Sequence, residues 1–221
     1  MKTNEDLQYD VEQAIRWEPQ IDAAQIGVTA KDGVVTLTGT VDSYFKKTEA
    51  EKAAKKVAGI TALVENIKID YGSYWDQKND TEIAAEILNA FKWHTDVPDE
   101  KLKVRVENGW VTLDGELGWN YQKDAAKDAV KNLMGVTGVS NDIKIKSEVD
   151  VIELKDIVAA IKRTISGDNQ DIEVRVSDKN VQLKGRVHSY YAKDEAERMA
   201  WNTPGVSTVD NELIIVNDYA D

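Results

Sequence analysis

Apolar residues along this chain switch their spacing in a fixed order, and the order returns three times. Leu7, Val11 and Ile15 lie four apart, as do Ile83, Ile87 and Phe91, and again Ile157 and Ile161. That spacing sets the side chains on one stripe of a helix. Asp80 and Thr81 are suited to cap the second of these helices. Alternation follows in two runs: Ile26, Val28 and Ala30 with Val35 and Leu37, then Leu102, Val104 and Val106 with Val111 and Leu113, then Ile172, Val174 and Val176 with Val181 and Leu183. Period two with one apolar face predicts half-buried strands. Asp32-Gly33 and Asn108-Gly109 separate the first two pairs and predict hairpins, because glycine accepts the positive φ such turns require. The third copy has Lys179-Asn180 there, which predicts a left-handed Asn180 or a different turn.

A second helix comes next, marked by Ala50, Ala53, Ala54 and Val57, by Ala126, Ala129, Val130 and Leu133, and by Ala196, Met199 and Ala200. Small residues on its inner face allow close approach to a sheet. Gly59, Gly135 and Gly205 end it, with Pro204 reinforcing the third stop. A last strand carries Ile67 and Ile69, Ile143 and Ile145, or Leu213 and Ile215. The unit is therefore α-β-β-α-β, an α+β fold in which a three-stranded mixed sheet is covered on one face by two helices. The copies are offset by 76 and then 70 residues, too long for a solenoid unit and long enough for a small domain. Three tandem domains are expected, at 1–72, 73–147 and 148–221. Domains of this size bury only about 60% of their unfolded surface, so contacts between them should add stability.

The hairpin Asp32-Gly33-Val-Val-Thr-Leu-Thr-Gly39, the alanine-rich helix behind it and the closing run typified by Gly205-Val-Ser-Thr-Val-Asp-Asn-Glu-Leu-Ile-Ile215 resemble the BON domain, named for bacterial osmotically inducible and nodulation proteins. The resemblance covers essentially the whole chain in three copies. It implies a non-enzymatic module, often in the bacterial envelope, that binds phospholipid or a macromolecular partner and is linked to osmotic or envelope stress. Members usually reach the periplasm by a signal peptide. Here Met1 to Leu7 enters a polar helical pattern directly, without an apolar stretch or a small-residue cleavage site. The expected location is cytoplasmic for the chain as written, and periplasmic if it is a mature or trimmed form.

Composition narrows the function classes. The 221 residues include three prolines and no cysteine, which removes disulfides, thiolate metal sites and thiol nucleophiles together. No run of about 18 apolar residues could span a membrane. The net charge of −12 divides as −3, −3 and −6 over the three repeats. Nucleic-acid affinity comes mainly from cationic neutralisation of phosphates, so none is expected. His94 and His188 fall at unequal places in their repeats without a recurring third ligand, and the acidic residues form no calcium loop. Gly33 and Gly39 flank a strand and are not a phosphate loop. Neither a catalytic residue nor a metal or cofactor is expected.

Aromatic residues do recur, at the start of the second helix: Tyr44 and Phe45, Trp119 and Tyr121, Tyr190 and Tyr191. Phe45, Tyr121 and Tyr191 share one aligned position and are expected to pack on the first helix or a neighbouring unit. The remaining rings would then form an anchor for lipid or protein. Residues 43–58 carry five lysines against two acids, whereas residues 189–204 carry two basic groups against three acids. Lys46, Lys47, Lys52, Lys55 and Lys56 with Tyr44 and Phe45 thus make the first unit the candidate for anionic headgroups. Trp17 and Trp93, aligned at the end of the first helix, are expected to cap the core, and Trp75 to pin the first two units together. The expected partner is an anionic phospholipid or an envelope protein. The alternatives are a cytoplasmic stress-related protein contact and a self-assembling homo-oligomer.

Overall fold

A computed structural model describes residues 2–72, 78–146, 172–203 and 205–216. The expected stripe of Ile157 and Ile161, and the roles given to Trp75 and Pro204, lie outside the described residues.

Helix α1 (Asn4–Arg16) starts at Thr3, whose hydroxyl accepts from the Asp6 amide while the Asp6 carboxylate accepts from the Thr3 amide. Its buried face is Leu7, Val11 and Ile15. Strands β1 (Ile26–Lys31) and β2 (Val34–Val41) pair antiparallel, with Ile26 opposite Gly39 and Lys31 opposite Val34. Between them Asp32 and Gly33 have φ of 50° and 79°, the pair of positive values that matches a two-residue turn to the strand twist. Helix α2 (Tyr44–Lys55) buries Ala50, Ala53 and Ala54. It returns the chain to β3 (Ala62–Ile69), parallel to β2, so the sheet order is β1-β2-β3.

The second unit repeats this with α3 (Asp80–Trp93), β4 (Leu102–Glu107), β5 (Trp110–Leu117) and α4 (Asn120–Lys131). Its closing strand is divided into β6 (Gly138–Asn141) and β7 (Lys144–Ile145), both parallel to β5. The cap of α3 is Asn79, not Asp80 or Thr81: its side chain accepts from the Glu82 amide, and Glu82 accepts in return. Asp80 instead accepts from the amides of Asn108 and Gly109 at 2.8 and 2.9 Å, tying the helix start to the hairpin turn. In the third unit the described elements are β8 (Ile172–Ser177), β9 (Asn180–Val187), α5 (Tyr190–Trp201) and β10 (Thr208–Ile215), with sheet order β10-β9-β8. Asp178, at φ 53°, is the left-handed residue of this turn, and Asn180 already belongs to β9. In all three units the amide two residues after the second helix's closing glycine donates to a turn carbonyl, Thr61 to Gly33, Thr137 to Gly109 and Ser207 to Lys179.

Each unit has its own apolar core, and each touches both others. Tyr44 packs against the second core, Tyr190 against the first, and Trp201 against both the second and the third. The Lys131 ammonium lies 5.6 Å from the Phe45 ring centre, and Lys55 bridges to Asp194 at 3.1 Å. Lys55, Lys131 and Trp201 are aligned positions, so one end of each second helix meets the next unit in a closed ring of three. Trp17 and Trp93 do not cap the cores: they are 82% and 87% exposed. At 100° per residue they fall about 120° from the buried stripe of their helices.

Candidate functional site

The start of α2 is built by Ser43, whose hydroxyl accepts from the Lys46 amide at 3.3 Å. That cap fixes where the next residues point. Tyr44 turns toward the second unit, and burial raises its hydroxyl pKa. Phe45 lies under Lys131. The aligned ring in the other units stays outside, with Tyr121 and Tyr191 both 50% exposed. Tyr190, aligned with Tyr44, packs on the first core and donates from its hydroxyl to the Thr61 carbonyl at 2.7 Å. Phe45 meets a neighbouring unit as expected, but the rest of the division is reversed: Tyr44 and Tyr190 join units, whereas Tyr121 and Tyr191 meet solvent. Trp119 is half-buried, 6.4 Å from the Tyr121 ring.

The α2 lysines are largely matched by acids of the same chain. Lys46 pairs with Asp42 at 2.6 Å, and that hydrogen bond holds the Asp42 carboxyl below its usual range. Lys47 stands 3.8 Å from Glu65, and Lys52 2.8 Å from Glu49. Lys55 contacts Glu51 and Asp194, both at 3.1 Å. Burial pulls its pKa down, but the two carboxylates together outweigh burial and leave it raised. Lys56 is exposed and forms no ion pair with another described residue. The structure thus brings Tyr44, Phe45, Lys55 and Tyr190 to junctions between units, and leaves Lys52, Lys56, Tyr121 and Tyr191 on the surface. Among the described residues no group of three or more His, Asp or Glu side chains is arranged to hold a metal ion.

Among the described residues the most exposed large apolar side chains are Trp17 and Trp93, which the sequence pattern assigned to the core. Each follows an exposed cation, Arg16 or Lys92, at the C-terminal end of α1 or α3. Their off-stripe helical angle was the signal available in the sequence.

Three small α+β units in tandem define a class of repeated-domain protein. The BON domain model matches the chain three times, at residues 3–71, 79–147 and 154–217, and the chain belongs to the BON domain family. It is similar to osmotically-inducible protein Y of Escherichia coli (strain K12), 33% identical over 129 residues covering 57% of this chain and 64% of that protein. It is also similar to a 21 kDa hemolysin of Actinobacillus pleuropneumoniae, 31% identical over 120 residues, 52% of this chain and 60% of that one. The chain therefore spans less than two thirds of the length of either relative. Among solved structures, CdsD, a structural protein of the type III secretion system of Chlamydia trachomatis, is aligned over 96% of this chain and 92% of its own at 16% identity and a TM-score of 0.25, a likeness too distant to bear on function. No helix among the described residues is long and apolar enough to cross a membrane.

Proposed function

We propose that the chain is a non-enzymatic module of three domains, divided at 1–72, 73–147 and 148–221, that attaches to anionic phospholipid at the bacterial envelope as part of an osmotic or envelope-stress response. The observation that carries this reading is the pair Trp17 and Trp93, exposed at equivalent positions and each preceded by a cation. Indole rings favour the boundary between headgroups and acyl chains, where the apolar body is buried and the N–H remains wet. A nearby lysine or arginine adds about 1 kcal/mol at an anionic leaflet. The net charge of −12 opposes this attraction. Binding is therefore weak and sensitive to salt. The name of osmotically-inducible protein Y supports the link to osmotic stress.

Co-sedimentation of the whole chain with neutral and with phosphatidylglycerol-containing vesicles, at low and high salt, tests it. Retention by anionic vesicles at low salt, lost in W17A/W93A, is the expected result. Equal retention of the variant shows that Trp17 and Trp93 do not carry the attachment, and no retention at all removes the lipid reading and leaves a protein partner.

A further inference from the structure

The second unit carries a cavity of about 730 Å³ whose walls include Lys101, Lys103, Lys146, Glu116, Gln122 and Trp119. The three lysines come from separate elements: the short turn before β4, β4 itself, and the residue after β7. Lys146 meets Glu116 at 3.5 Å, with both side chains mostly exposed, a loose pair. Neither Lys101 nor Lys103 forms an ion pair with another described residue. Their convergence is peculiar to this unit. The positions of Lys101, Lys103 and Lys146 hold Gln25, Gly27 and Asp70 in the first unit, and Glu173 and Val216 stand at the last two in the third.

Trp119 also departs from its counterparts. Ser43 and Ser189 stand at the same place and cap α2 and α5 through their hydroxyls. Helix α4 has no such side-chain cap; the Gln122 side chain accepts from the Trp119 amide instead. A serine cap contributes about 1 kcal/mol, so the second unit forgoes that stabilisation at a position where Trp119 lines the cavity. The volume lies within the range of small-molecule sites.

We propose that this cavity binds a phosphate group carried on an apolar or flat body, the lysines holding the phosphate oxygens and the Trp119 ring lying against the body. The phosphate can belong to a small phosphorylated compound or to a lipid headgroup. The site is separate from Trp17 and Trp93 and does not depend on them.

Titration of the whole ¹⁵N-labelled chain with phenyl phosphate and with inorganic phosphate, read at the Gly115 and Gly118 amides and the Trp119 indole N–H, tests the site. Co-flotation with phosphatidylglycerol vesicles tests the lipid source. Phenyl phosphate is expected to give saturable shifts that K103Q/K146Q weakens about tenfold, the scale of two exposed charge pairs. W119S keeps the fold, since serine is what the other units use, and abolishes the preference for phenyl over inorganic phosphate. Flotation that requires Lys103 and Lys146, without shifts from either soluble phosphate, assigns the phosphate to a headgroup. No saturable change with any of the three, or changes that survive K103Q/K146Q, overturns the proposal. W17A/W93A leaves the phenyl phosphate titration unchanged, so failure here and failure of the membrane reading are told apart.

Discussion

A β-carbon added at Gly109 would stand 2.3 Å from the Gly135 carbonyl oxygen, and one at Gly33 would stand 2.6 Å from the Thr61 hydroxyl. Both positions also have positive φ, so valine would be strained at either. Backbone cannot turn away as a threonine side chain can. G109V should therefore lower the urea midpoint more than G33V, each losing at least about 1–2 kcal/mol; equal or unchanged midpoints would contradict the geometry. Glu65 presents the opposite case, a residue whose replacement should help. Its aligned residues Asn141 and Asn211 each donate from Nδ2 to the second helix, at the carbonyls of Lys123 and Lys193. Glu65 has no such donor, and its Oε1 is buried without a hydrogen bond. Burial holds its carboxyl above the usual 4.5, with Lys47 pulling the other way. The folded chain thus keeps this proton to higher pH than the unfolded chain. Stability at this site falls as pH rises through that window. E65N should stabilise the fold at pH 7, by about 1 kcal/mol for the restored hydrogen bond, and by less at pH 4, where the raised pKa leaves the carboxyl mostly protonated; thermal unfolding at the two pH values reads the difference.

Elements were the most legible level of the chain. The stripe Leu7, Val11 and Ile15 and the alternation of Val35 and Leu37 became buried faces because period alone decides which side of a helix or strand meets the core. Caps were less legible. Asn79 and Asp80 are both good cap residues, and only the hairpin packed against α3 draws Asp80 away to the Asn108 and Gly109 amides. The aromatic pairs were legible as a cluster but not as to which ring meets which surface, since that depends on neighbouring units that no local pattern encodes. Trp17 was misplaced because its size argued for the core while its helical angle argued against it, and the angle prevailed. For the caps themselves, S43A and S189A should each cost about 1 kcal/mol in denaturant unfolding. A neutral result for both would mean that water replaces the hydroxyls.

At the scale of the whole molecule, the three units touch pairwise through different chemistry at equivalent places: a cation over a ring between the first and second, an ion pair and a tyrosine hydrogen bond between the first and third, and a tryptophan between the second and third. Closure predicts a radius of gyration near that of a single compact chain of this length, about 17 Å. K55Q/Y190A removes the two polar contacts between the first and third units that the described residues make. Small-angle scattering should then show a larger radius, with the circular dichroism of folded units retained. An unchanged radius would show that apolar packing alone keeps the ring shut.

The first and second units, and the second and third, follow one another along the chain and stay near each other whatever happens to their contacts. The first and third are not consecutive, and among the described residues they meet through Lys55 with Asp194 and Tyr190 with Thr61. That seam is the clasp of a bracelet whose other two joints are riveted by the backbone, and its ion pair is partly open to water, within reach of the surrounding salt. Rising ionic strength weakens that ion pair, and the rest of the clasp is Tyr190, seated on the first core with its hydroxyl on the Thr61 carbonyl.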